Sequence, residues 1–170
     1  RDKVTVQAVA VWLLIAIAVG LIAFVFYRKD KLKGSAFAAF PLFAFYLSFV
    51  LTITIIERIV TAKAKYELEL FWTYKAIQAG QTDLRAEIFW NVVLFIPIGI
   101  LVSMMLPKKR KWLSIIIGFL MSAGIELTQL LLHRGLFEFD DMVHNTLGTV
   151  IGLVLFLIVS GIVKAVRGRT

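Results

Sequence analysis

The chain has 170 residues, 60% of them hydrophobic, a mean hydropathy of +0.88 and a formal charge of +8. That composition excludes a water-soluble globular domain, in which roughly half the residues are apolar, and the absence of cysteine excludes disulfides, thiol nucleophiles and thiolate metal sites. The basic residues lie in short linkers rather than on one continuous face, so the charge speaks for membrane topology and not for nucleic acid.

Five windows are long enough to cross a hydrocarbon core of about 30 Å, which needs roughly 20 apolar residues: 4–26, 36–56, 88–106, 112–132 and 142–163. They predict an all-α, polytopic helical bundle forming a single transmembrane domain over residues 1–170. The first window is followed by no small-residue cleavage pattern and is expected to be a span, not a signal peptide. The linker "YRKDKLKG" carries Arg28, Lys29, Lys31 and Lys33, "PKKRK" carries Lys108, Lys109, Arg110 and Lys111, and the tail carries Lys164, Arg167 and Arg169. The opposite side receives Arg1 and Lys3, a segment 57–87 with five basic and five acidic residues, and "HRGLFEFDD" with a net charge of −2. Positive-inside counting places the N-terminus outside and the C-terminus in the cytoplasm. Trp12, Tyr27, Trp90 and Trp112 lie within a few turns of span ends and are expected to be interfacial anchors. Between the second and third spans, "AKYELELFWTYKAIQAGQTDLRAEIFW" is too polar to cross. Leu68, Phe71, Trp72, Tyr74 and Ile77 suggest an amphipathic helix on the outer surface, with a re-entrant segment as the rival.

Three spans bring polar residues to one depth. In the fourth, Ser122, Glu126, Gln129 and His133 share a helical face, and Glu126 lies about six residues, roughly 9 Å, below the outer end. An ionised carboxylate facing lipid there costs about 2.5 to 3.5 kcal/mol, so Glu126 should face protein or a wet cavity. In the fifth, Asp141, Asn145, Gly148 and Gly152 repeat on one face, the glycines allowing close helix contact. Glu87 and Asn91 share a face at the outer start of the third. Each residue also has a plainer reading. Asp140 or Asp141 would cap the fifth helix, Asn91, Gln129 and Asn145 would bond helices together, and His133 and His144 would sit at the interface. Converging polarity from three helices points instead to a functional outer cavity.

The stretches "NVVLFIPIGILV" from Asn91, "GIELTQLLLHRG" from Gly124 and "FEFDDMVHNTLGTVIG" from Phe137, in this order and spacing, resemble the VanZ-like family of bacterial membrane proteins. The likeness covers residues 68–161; the first two spans match it only in character. It carries the family's recurring positions onto Asn91, Pro97, Gly99, Glu126, Gln129, Arg134, Asp140, Asp141, Asn145, Gly148 and Gly152, with Glu138 as the acidic residue before the Asp pair. It implies a part in low-level resistance to teicoplanin, a lipoglycopeptide acting on cell-wall precursors at the outer membrane face. Pro97, Gly99, Gly148 and Gly152 are then helix-packing residues.

Two mechanisms of different classes fit these residues. In the first, the cavity binds or shields an amphiphile, a lipid-tailed antibiotic or a lipid-linked precursor. Arg134 would pair with phosphate or carboxylate through its planar fork while Asn91, Gln129 and Asn145 orient the head group. In the second, a membrane-embedded hydrolase or transferase modifies a lipid head group, with Glu126 as general acid or base. Catalytic candidates are Glu126, Asp140, Asp141 and His144. No cofactor is expected, although Glu138, Asp140, Asp141 and His144 offer ligands for a divalent cation; adjacent aspartates at a helix start are more often caps. No "GxSxG" or "HExxH" is present to favour the enzyme. A transporter finds less support, since no internal repeat supplies paired halves. Membrane lipid or an amphiphilic antibiotic is the expected partner.

Overall fold

The structure, a computed structural model, describes residues 6–29, 31–32 and 34–168, without the side chain of Ser35. Arg1, Lys3, Val4, Lys33 and Arg169, which enter the reading above, lie outside these. Five helices are long and apolar enough to cross a membrane: α1 (Val6–Arg28), α2 (Gly34–Leu51, carried on by a π-helical turn, Thr52–Ile56), α4 (Leu84–Met105), α5 (Leu113–Leu131) and α6 (Phe139–Arg167). A seven-residue helix, α3 (Trp72–Gln78), precedes α4. Two-residue strands β1 (Tyr66–Glu67) and β2 (Phe137–Glu138) pair in parallel, leaving the protein an all-α polytopic bundle. α1 is apolar all round, with Leu14, Ile17, Leu21 and Ile22 exposed as they would be to lipid tails.

α4 lies at the centre, packed on α6, α2 and α5, while α6 also packs on α5 and α2 on α1. Lipid tails are as apolar as the helices, so packing rests on close fit and not on expulsion of water. The fit is closest between α4 and α6. A methyl added at Gly148 would run into the Val92 carbonyl, one at Gly152 into the Ile96 carbonyl, and one at Gly99 into the Thr149 carbonyl. Pro97 sits inside α4 between these contacts, tolerated because neighbouring helices shield the freed backbone. Val50, Phe95, Ile98, Val102 and Ile125 form the buried apolar core between α2, α4 and α5.

Trp12 departs from its expected place. It is buried, donates its indole N–H to Thr52 Oγ1 at 3.2 Å and packs edge-on against Phe45 and Phe49, so it joins α1 to α2 instead of anchoring an interface. Tyr27, Trp90 and Trp112 are exposed, as anchors would be. The helices α4 and α6 also begin earlier than the apolar windows, at Leu84 and Phe139. Polar residues in a first turn can be helical when they face protein, and a hydropathy window does not register them.

The segment between α2 and α4 is bound to the loop before α6 by backbone hydrogen bonds. Val60 bridges Arg134, Thr61 N–H donates to the His133 carbonyl at 2.8 Å, and Phe137 N–H donates to the Lys65 carbonyl at 3.0 Å. Its helical part is short: of the residues expected on an amphipathic helix, Trp72, Tyr74 and Ile77 lie in α3, while Leu68 and Phe71 lie just before it.

Candidate functional site

The polar face of α5 meets the first turns of α4 and α6 at one end of the bundle. Ser122, Glu126 and Gln129 are all buried, Glu126 with 2% of its surface exposed. Glu126 Oε2 accepts the backbone N–H of Glu138 at 3.0 Å, satisfying a donor at the head of α6 that has no partner within its own helix. Gln129 Nε2 donates to the Thr54 carbonyl at 2.7 Å, a carbonyl in the wider π-helical turn. His133 leaves the stripe: its φ of 54° turns the chain out of the helix, and its side chain is exposed.

From α6, Asp141 Oδ1 accepts Asn91 Nδ2 of α4 at 2.6 Å, and Asn145 Nδ2 donates to Ser122 Oγ of α5 at 2.9 Å. Glu87, one turn before Asn91, completes the group. Carboxylate oxygens of Glu87, Glu138 and Asp141 all lie within 4.8 Å of one another, close enough to hold a metal ion. With Glu126 this makes four carboxylates, and none has a cation at salt-bridge distance among the described residues. Arg58, exposed on the turn after α2, contributes a positive charge that acts on Glu126 and Asp141. Such a group attracts positive charge, whether a proton, a metal ion or the cationic part of a ligand.

Just outside the spans, the Glu138 carboxyl is pushed up to about 8. Burial is the main cause, followed by the charges of Asp141, Glu87 and Glu126, while the Trp72 indole works in the opposite direction. Among the described residues four buried side-chain polar atoms have no hydrogen-bond partner, and three of them, Trp72 Nε1, His144 Nδ1 and Asn145 Oδ1, lie at this end. Buried polar atoms are nearly always paired, so this is binding capacity left unused.

Not every candidate joins the group. Asp140 turns to the 57–83 segment, where its oxygens accept the N–H of Phe71 at 2.5 Å and of Thr73 at 3.0 Å. It caps α3 from a distance; Phe71, with φ 64°, heads that helix and no local side chain caps it. His144 Nε2 meets the Tyr74 hydroxyl at 3.0 Å. Arg134 donates through Nη1 to the carbonyls of Ile55, Ile56 and Arg58, at 3.0, 2.5 and 3.3 Å. It closes the open end of the π-helical turn and stays half-exposed beside the buried layer.

Sequence reasoning placed Phe71 and Tyr74 at the outer surface but missed their contacts to α6, and it missed Arg58 and Thr73 as parts of this end. Their contacts reach residues between 67 and 76 positions away, and no local pattern encodes such partners. The layer itself is closely packed: Glu126, Gln129, Glu138, Asp141 and Asn145 are buried, while Glu87, Asn91 and Arg134 are half-exposed at its rim.

A helical bundle with carboxylates and amides buried inside its spans at one end is a multi-pass membrane protein with an intramembrane polar site. The chain belongs to the VanZ/LLP1 family, whose model matches residues 12–160, a family of membrane proteins associated with antibiotic resistance. The match takes in most of α1, from Trp12 on, and the whole of α2, beyond the 68–161 of the sequence likeness. No curated protein and no solved structure matched the chain.

Proposed function

We propose that the polar layer at the heads of α4 and α6 binds the head group of an amphiphile in the outer leaflet, and that by holding or shielding it the protein confers low-level resistance to lipoglycopeptides of the teicoplanin type. The observation that carries this reading is the burial of Glu126, Glu138 and Asp141 with Gln129 and Asn145 in one layer between α5 and α6, rimmed by Glu87 and Asn91 of α4. Intramembrane ionisable groups mark functional sites by default, since lipid gives no return for their desolvation. The half-exposed Glu87, Asn91 and Arg134 form the entrance, where Arg134 still has guanidinium donors beyond Nη1 for phosphate or carboxylate. Exposed Phe89 and Trp90 on α4, and Leu127 and Leu131 on α5, offer apolar surface for an acyl chain. The lysine-rich linkers support an orientation with this end outside and the C-terminus in the cytoplasm.

Purified protein titrated with teicoplanin, and with a glycopeptide lacking the acyl tail, tests the reading by the change in tryptophan fluorescence. Saturable binding that favours the acylated compound is expected. Equal, non-saturable responses to both would contradict it. A second reading, a membrane-embedded hydrolase or transferase acting on a lipid head group, is favoured by the mutual approach of Glu87, Glu138 and Asp141, an oxygen set suited to a hard divalent cation that activates water. Turnover of a lipid substrate that depends on added divalent cation would replace the first reading with the second.

A further inference from the structure

The opposite end of the bundle carries a site of another kind. A cavity of about 570 Å³ opens between the α1–α2 linker and the ends of α4 and α6; four lysines line it, Lys31, Lys108, Lys111 and Lys164, and among the described residues no carboxylate does. Its remaining wall is largely apolar, with Met105 and Phe156 among the side chains.

The four lysines are not alike. Lys111 is committed to the fold. Its Nζ donates to the carbonyls of Ser103 at 2.6 Å and Leu106 at 3.3 Å, which satisfies acceptors at the C-terminal end of α4, and it sits 4.2 Å above the centre of the Phe156 ring. Lys31, Lys108 and Lys164 are exposed and have no carboxylate partner among the described residues. Burial lowers the Lys111 pKa, and the charges of Lys164 and Lys108 lower it further. The lysines therefore feel one another across the cavity, a repulsion that a bound anion would relieve.

Positive-inside topology explains the number of basic residues at this end and not their arrangement. Lys29, Lys109 and Arg110 bring the same charge to the same linkers and do not line the cavity. Ammonium groups and apolar side chains lining one cavity match a molecule with an anionic head and hydrocarbon tails, and basic pockets between helices at the cytoplasmic surface suit lipid phosphates. We infer that this cavity binds the phosphate of an anionic membrane phospholipid, between Lys31, Lys108 and Lys164, with its acyl chains against Met105 and Phe156. The site is separate from the polar layer and does not depend on what that layer binds.

Native mass spectrometry of protein purified in neutral detergent provides the test, with phosphatidylglycerol, phosphatidylcholine and inorganic phosphate titrated in parallel. Phosphatidylglycerol should be retained in preference to phosphatidylcholine. A Lys31→Gln, Lys108→Gln, Lys164→Gln triple variant should bind phosphatidylglycerol at least about tenfold more weakly, while Lys29→Gln, Lys109→Gln, Arg110→Gln, which removes the same charge, should bind it as the parent does. If the cavity triple is not monodisperse, Lys164→Gln alone should still weaken phosphatidylglycerol binding severalfold. Equal losses in the two triples, or no preference for phosphatidylglycerol over phosphatidylcholine, would overturn the assignment. Saturable binding of inorganic phosphate without lipid preference would also overturn it, giving the lysines to a soluble anion.

Discussion

Asp140 and Asp141 are neighbours in the chain with different partners. Successive helical residues point about 100° apart, so Asp140 faces the backbone of Phe71 and Thr73 while Asp141 faces Asn91 and the other carboxylates. Read as a sequence, the two are one acidic pair; in three dimensions one is a cap and the other belongs to the polar layer. Asp140→Ala should cost about 1 to 2 kcal/mol of stability, the usual range for losing a helix cap, and free the 57–83 segment, seen as faster amide exchange there. Unchanged exchange would remove Asp140 from that role. Glu138 adds a pH signature. Its pKa, about 8 in the folded protein against an ordinary 4.5 for a glutamate, means that the folded state holds the proton more tightly. Its contribution to stability is fully present below about 4.5 and is lost as pH rises through about 8. The melting temperature in detergent should thus fall between pH 5 and 9, and Glu138→Gln should flatten part of that fall. A variant with the parent's full slope would assign the titration elsewhere.

Among the elements, α4 and α6 hold the layer together, and glycines set their separation. Gly148→Ala would place a methyl against the Val92 carbonyl and Phe95, whereas Gly124 and Gly161 have nothing within 4 Å of an added Cβ. Overpacking of this kind costs about 1 to 3 kcal/mol, so Gly148→Ala should lower the melting temperature clearly while Gly124→Ala and Gly161→Ala leave it nearly unchanged. Equal behaviour of all three would mean that α4 and α6 are not in close contact. The repeat of Asp141, Asn145, Gly148 and Gly152 was legible because a single helix imposes its period on any face that must be buried. The same reasoning located Ser122, Glu126 and Gln129, and it failed at His133, where the chain leaves the helix. The π-helical turn was not legible. It follows from an extra residue accommodated in α2, whose carbonyls serve Gln129 and Arg134 some 75 to 79 positions away, and no local pattern encodes such partners.

For the whole molecule, hydropathy and length were enough for the five spans, since each crosses a slab of fixed thickness. The chemistry of the segment between α2 and α4 was hidden, because its strand pairing and its contacts to Asp140 and His144 are non-local. Orientation is a separate matter of charge: the two ends differ in that one gathers Lys31, Lys108 and Lys164 around a cavity and the other buries carboxylates. The chain has no cysteine, so Lys63→Cys and Lys109→Cys can be compared directly with a membrane-impermeant thiol reagent on intact cells. Position 63 should react and position 109 should not. The reverse pattern would turn the molecule over and put the polar layer at the cytoplasmic face.

The central claim is that the carboxylates of the layer act through their charge and do more than hold helices together. Glu126→Gln retains an oxygen to accept the Glu138 N–H, and Asp141→Asn retains one for Asn91, so both variants keep the shape of the site while removing an acidic group. The decisive measurement is the teicoplanin concentration that stops growth of cells expressing each variant, with membrane abundance and melting temperature matched to the parent. We predict that both variants lose the resistance conferred by the parent protein. Full resistance from either variant, correctly inserted at parental abundance, would contradict the account.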